Sequence, residues 1–322
     1  MNLRSTHPEL LPCFQVHRGF CYPDWDSIGN YIDVHFSERE KQNAWVEATR
    51  IWLETMKEER GGPFEVSETS NFMILSKAHK RVVKDVQRTC EDSLKKILKT
   101  LKGAAKDEGY GKHVLLLFPT IDEYYQYISY FYPKGEHPMT GGICISSSGY
   151  VHFVVPTPNY SSYRTTLVHE LTHVCLGHLP IPVWLNEALA MRMEELICHS
   201  EIFHLDQEIH EKHIAHWNGD TIQQFWTGES WSIPGDSFEL SYNLAQILWR
   251  KVEADLRARR DEMLTFISVA DYSDAGDNSF REIFGLSIGE LVEDFLGEGD
   301  WAPKPEAWPK ISSDLQNKIE TS

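Results

Sequence analysis

His169, Glu170 and His173 stand in the run His-Glu-Leu-Thr-His, and Glu187 follows fourteen positions after the second histidine within Trp184-Leu185-Asn186-Glu187-Ala188-Leu189-Ala190. On a helix, residues i and i+4 share one face about a turn apart, so both imidazoles can aim at one divalent ion. A carboxylate brought in from a second segment supplies a third ligand. Three protein ligands leave a fourth position for water, whose pKa falls to about 7 on zinc. Glu170, next in sequence to His169, lies near the same site without binding the ion and is placed to hold that water. Two histidines at this spacing also occur as polar residues on a surface helix, so the surrounding elements have to carry the argument.

A helix is expected from Ser161 or Ser162, either of which suits an N-cap, with Leu167, Leu171 and Val174 as its buried face and Pro180 and Pro182 as its stop. Pro182 then opens a second helix through Val183, Leu185, Leu189 and Met193. A tight, proline-rich reversal between them brings Glu187 back beside the histidines. Upstream, Phe64 to Leu75 reads as strand, Lys77 to Lys106 as a basic helix, His113 to Pro119 as a buried strand and Ile121 to Tyr130 as a short aromatic helix. Gly141 to Ser146 and Gly149 to Val155 read as two strands around Ser147-Ser148. Downstream, Phe238 to Val252 and Met263 to Val269 have helical spacing, and residues 279 to 296 read as two helices around Gly285-Leu286-Ser287.

The expected class is therefore α+β: a small mixed sheet with helices, then a mainly helical subdomain carrying the histidines, with the cleft between them. The corresponding divisions are an N-terminal, mostly helical extension over 1–63, an α/β part with an edge strand over 64–160, the helical part over 161–300, and a loosely packed tail over 301–322. The helix through Trp45, Ile51, Trp52 and Met56 is expected to end at Gly61-Gly62-Pro63.

The net charge of −17 over 322 residues argues against nonspecific nucleic-acid binding, which needs an excess of Lys and Arg. Residues 77 to 106 run against the balance, with ten basic and three acidic side chains (Asp85, Glu91, Asp92), which leaves −24 for the remainder. Val83, Val86, Cys90, Leu94, Ile97 and Leu101 recur at helical steps there and leave the lysines on a solvated face. No apolar run approaches the roughly 20 residues that span a bilayer. The six cysteines form no CxxC pair, and no apolar signal core follows Met1-Asn2-Leu3-Arg4, so the expectation is a reduced, cytoplasmic protein without a membrane partner. Cys175 projects from a different helix face than His173 and reads as a small core residue.

The joint pattern of HELTH followed by WLNEALA resembles the gluzincin metallopeptidases, the clan of thermolysin-like enzymes and M1 aminopeptidases, and its short spacing is most similar to the peptidase MA-like family. The likeness extends loosely from Glu68-Thr69-Ser70-Asn71-Phe72 to Trp301 and leaves out the first 60 residues. It implies one Zn2+ held by His169, His173 and Glu187, Glu170 as the base, and a peptide or protein substrate. It also implies an oxyanion donor, for which Tyr242 in Ser241-Tyr242-Asn243 resembles the M1 tyrosine; Tyr242 reads equally as a core tyrosine. Glu194, seven residues after Glu187, is a candidate to orient a ligating histidine, or a solvated glutamate.

Other readings separate on spacing. The metzincin extension needs glycine three and histidine six positions after the second motif histidine, whereas Gly177 and His178 fall at four and five. The M1 Gly-x-Met-Glu-Asn strand has no acidic counterpart in Thr140 to Ser146, which removes the support for aminopeptidase specificity. His199, His204, His210, His213 and His216 offer a secondary metal site or simple solvent-exposed titration. Three functions stay open: a zinc metallopeptidase, either an endopeptidase or a narrow processing enzyme; a non-catalytic metal-binding or protein-interaction module on the same scaffold; and a hydrolase of a non-peptide amide or ester.

Overall fold

A computed structural model describes residues 8–132, 142–147, 149–156, 163–200, 203–255 and 259–308. It is an α+β protein with a five-stranded mixed sheet, a two-stranded antiparallel ribbon and many helices. In chain order the elements are β1 (Phe14–His17), β2 (Phe20–Pro23), α1 (Trp25–His35), α2 (Glu38–Arg60), β3 (Glu65–Glu68), β4 (Phe72–Ser76), α3 (Lys80–Thr100), β5 (His113–Phe118), α4 (Ile121–Ile128), β6 (Ile143–Ser147) and β7 (Tyr150–Pro156). Then come α5 (Tyr163–Leu176), α6 (Val183–Cys198), α7 (Gln207–His216), α8 (Thr221–Thr227), α9 (Asp236–Asp255), α10 (Arg260–Val269), α11 (Asp277–Phe284) and α12 (Ile288–Leu296). The chain divides into two compact units, one formed mainly by Met1–Lys95 and Glu108–Glu170, the other by Lys96–Asp107 and Leu171–Ile319.

In the first unit the sheet order is β3-β4-β5-β7-β6, with β4, β5 and β7 parallel and β3 and β6 as antiparallel edges. The central strands Phe72–Ser76 and His113–Phe118 are nearly continuous apolar runs, as strands buried on both faces must be. On one face Met73, Leu75, Val114, Leu116, Phe118, Tyr150 and Val154 pack with an aromatic layer from the N-terminus, including Phe20, Trp25, Trp45 and Trp52. The first 60 residues thus build core. Trp52 Nε1 donates to the Cys21 carbonyl at 2.9 Å, and the Tyr22 hydroxyl to the Tyr127 carbonyl at 3.1 Å. The ribbon β1–β2 and the helix α1, between residues 14 and 35, carry no clean sequence period and were not foreseen. The helix expected to end at Gly61 does so, after starting on a Ser37–Glu40 capping box.

Phe72, Ile74, Leu115, Leu117, Phe153 and Val155, on the opposite face, are also buried. Among the residues of α3, Val86, Cys90, Leu94 and Ile97 are buried, the face expected from their spacing. Tyr163, at the start of α5, bonds Thr89 of α3, and Gly142 at the start of β6 lies against Thr166 of α5.

The second unit is helical around Trp184, Phe225, Trp226, Leu244, Leu248 and Phe266, all buried. Trp184 Nε1 donates to the Ala275 carbonyl at 2.9 Å, which ties α6 to the turn before α11. The pair expected around Gly285 is α11 and α12, the latter opened by a Ser287–Glu290 capping box. The segment beginning at Trp301, expected to pack loosely, is anchored as far as Trp308. Gln223 bonds the Ala302 carbonyl, the Lys304 amide and Trp308 Nε1, each at 2.9 Å, and Trp226 Nε1 donates to the Trp301 carbonyl. The expected N-caps Ser161 and Ser162, the turn residue Ser148, Thr140 and Gly141 of the strand compared with M1 enzymes, and Pro309 of the tail lie outside the described residues. No helix among the described residues is long and apolar enough to cross a membrane.

Candidate metal centre

α5 carries His169, Glu170 and His173 on consecutive turns. It ends at Leu176, four residues before Pro180, because the chain leaves the helix at Gly177-His178 and closes a turn through Leu179 N to the Leu176 carbonyl at 2.9 Å. Pro182 is the N-cap of α6, in extended conformation, and its carbonyl accepts from the amides of Leu185 and Asn186 at 3.0 Å. Proline fits there since its missing N–H has no role at a helix start.

With this geometry, ligand atoms of His169, His173 and Glu187 lie within 4.8 Å of one another, the only such histidine, cysteine and carboxylate group among the described residues. His173 Nε2 and Glu187 Oε1 are 3.6 Å apart, too long for a hydrogen bond. Bonds of about 2.0–2.1 Å to a tetrahedral zinc set donor–donor distances of about 3.4 Å, so the spacing suits a shared cation better than a direct contact. Both side chains are mostly enclosed, at 20% and 13% exposure. Two imidazoles and one carboxylate are borderline and hard donors of the kind zinc accepts, and the residues present fit that ion. Beside them the buried Asn186 Oδ1 has no hydrogen-bond partner among the described residues, an acceptor the chain's own donors leave unsatisfied.

Glu170 sits on the α5 face that looks to the edge strand. Gly142 and Cys144 alternate onto one face of β6, and Cys144 pairs with Phe153, whereas Ile143 and Ile145 belong to the aromatic core on the other face. A Cβ at Gly142 would meet Thr166 Cγ2 at 3.0 Å and the Val154 carbonyl at 3.2 Å, so helix and strand approach closely there. Glu170 lies one turn beyond Thr166, and Cys144 two residues beyond Gly142. The Glu170 charge is accordingly felt at Cys144, whose thiol pKa is pushed well up by burial and then by this carboxylate. Tyr132, half-buried after α4, is raised by the same two causes in the same order. Sequence reasoning missed both residues. Strand alternation placed Cys144 on a face, but nothing local says which face meets a helix arriving later in the chain.

Tyr242 is in the second turn of α9, partly buried, with its ring 5.1 Å from Phe238 and 6.1 Å from Trp231. Glu194 lies two turns beyond Glu187 on α6 and is partly buried. Cys175 is a core thiol, as expected, fully buried and pushed up to about 12 by that burial and then by the Asp107 charge. The histidine-rich stretch supplies no metal group among the described residues. Its members are instead dispersed: His204 bonds Asp206, His210 meets the Phe295 carbonyl, and His213 is buried between Asn243 Oδ1 and Trp217 Nε1, each at 2.9 Å.

Compared with known proteins, the chain matches no protein-family model and no curated protein.

Proposed function

We propose that this chain is a zinc-dependent metallopeptidase of gluzincin type, a reading carried by the convergence of His169, His173 and Glu187 from α5 and α6 within 4.8 Å. These three residues would hold one Zn2+. When bound, the ion supplies Lewis-acid polarisation of a substrate carbonyl and acidifies water at the open position. Glu170, one residue from a ligand yet turned to β6, takes a proton on its carboxylate and delivers it to the departing amine. The intact base argues against a purely structural metal module, which has no use for it and is usually closed by four protein ligands.

β6 favours a peptide over a small amide or ester. It is an edge of the sheet, so its outer backbone groups can take an extended chain as a further strand. Such pairing is sequence-tolerant and gives no preference for a free amino terminus, in keeping with an endopeptidase or a narrow processing enzyme. Tyr242 is our candidate for the donor to the developing oxyanion. A cytoplasmic setting agrees with six unbridged thiols.

The deciding experiment combines metal analysis with hydrolysis of a peptide library by wild type and Glu170→Gln. One zinc per chain and cleavage lost in the variant are expected. One zinc without Glu170-dependent cleavage would leave a binding module, and cleavage of non-peptide amides or esters alone would make the substrate non-peptide.

A further inference from the structure

The outward face of α3 carries positive charge that the rest of the molecule leaves unanswered. Lys80, Arg81, Lys84, Arg88 and Lys95 are all exposed. At 100° per residue they fall within one arc of about 100°, extending about 23 Å along the helix axis. Asp85 and Asp92 project to the flank of that arc. Glu91 lies within it, but its oxygens accept from the Asn71 amide and Nδ2 at 2.9 and 2.7 Å. Of the five cations Arg88 alone has an acidic partner among the described residues, Asp85 at 2.9 Å.

Many cations elsewhere are paired, such as Lys41 with Asp33, Arg50 and Lys112 with Glu68, Arg192 with Glu253 and Arg281 with Asp277. In a chain with 48 acidic side chains against 31 lysines and arginines, a run of unpaired cations is a local exception to an abundance of acid. Lys80, Arg81, Lys84 and Arg88, with Asp85, border one shallow, open stretch of the helix surface. A carboxylate seated there meets several cations at once.

We propose that this stripe docks an extended, acidic polypeptide segment. The charge balance of the chain favours that partner over other polyanions. Outside residues 77–106 the chain carries −24, which disfavours a nucleic-acid duplex or a bilayer, whose anions extend well beyond one helix face. An extended peptide is narrow enough to stay on the stripe. At about 3.3–3.6 Å per residue, six or seven residues cover it. The binding is independent of metal and hydrolysis, since none of these side chains is a proposed ligand or base.

The test is fluorescence anisotropy of labelled heptaglutamate with the full chain. Heptaglutamine, a thymidine oligonucleotide of similar length and phosphatidylserine vesicles serve as comparison probes. Heptaglutamate should bind more tightly than each comparison probe and weaken with salt. The triple variant Lys80→Gln, Arg81→Gln, Lys84→Gln should weaken it about tenfold or more, the sum expected for three exposed ion pairs. Lys80→Arg with Lys84→Arg, which keeps charge, should retain binding, as should Lys212→Gln on α7. The proposal is overturned if heptaglutamate does not bind, if the triple variant binds it equally well while folded by circular dichroism, or if the oligonucleotide or vesicles are held more tightly through the same residues.

Discussion

Lowering the pH from 7 to about 4.5 should cost this protein several kcal/mol of stability through two buried histidines. His152 on β7 is 1% exposed, its Nε2 is 2.8 Å from the Tyr127 hydroxyl, and Nδ1 has no hydrogen-bond partner among the described residues. Burial pushes its pKa down to about 3. His213 on α7 is fully buried and held down to about 4, chiefly by burial. A histidine whose folded pKa lies below its unfolded value of about 6.5 binds its proton more readily in the unfolded chain. Its contribution is complete above pH 6.5 and is lost as pH falls towards the folded pKa. At about pH 4.5 each group costs between about 2 and 3 kcal/mol, about 5 together, with a slope of about 1 to 1.4 kcal/mol per pH unit per histidine between pH 6 and 4.5. Urea unfolding followed by tryptophan fluorescence across that range measures the slope. His152→Gln and His213→Gln should each flatten it by about one proton's worth, whatever their effect at neutral pH. A His152→Gln slope equal to that of wild type would refute the assignment of a neutral, buried imidazole.

Glu170→Gln should lower peptide hydrolysis by about 10²–10⁴-fold while metal content stays unchanged, since a base is lost and no ligand is. His173→Ala should lower both metal content and activity, measured by plasma mass spectrometry beside the peptide assay. Tyr242→Phe should cut kcat about 10²–10³-fold with little change in KM if the hydroxyl meets the oxyanion; a loss confined to thermal stability would make it a packing residue. Gly142→Val should displace β6 from Thr166 at a cost of about 1–3 kcal/mol in urea unfolding, and should raise KM for extended peptides more than for short ones.

Much of the local structure was legible because its causes are local. The spacing of Val86, Cys90, Leu94 and Ile97 gives the buried face of α3, the apolar run from Val114 to Phe118 gives a central strand, and Gly61 and Gly285 mark helix ends. The N-terminal ribbon and α1 were illegible. Their residues are held by rings from distant segments, as in the stacking of Trp25 on Tyr150 with centroids 3.6 Å apart. The anchoring of Trp301 to Trp308 likewise depends on Gln223 and Trp226, some 75 to 85 positions away.

At the candidate site the sequence by itself determined that His169 and His173 share a helix face, that Glu170 sits a residue off that face, and that a proline-started helix follows with Glu187. Helical periodicity settles these matters within a few turns. Only the tertiary structure decided that Glu187 arrives within 4.8 Å of both imidazoles, that Glu170 looks to the edge strand, and that its charge is felt at Cys144 and Tyr132. Those relations depend on where α5 ends, how α6 returns and which face of β6 meets α5. Packing of residues remote in sequence sets all three, and no local period encodes them.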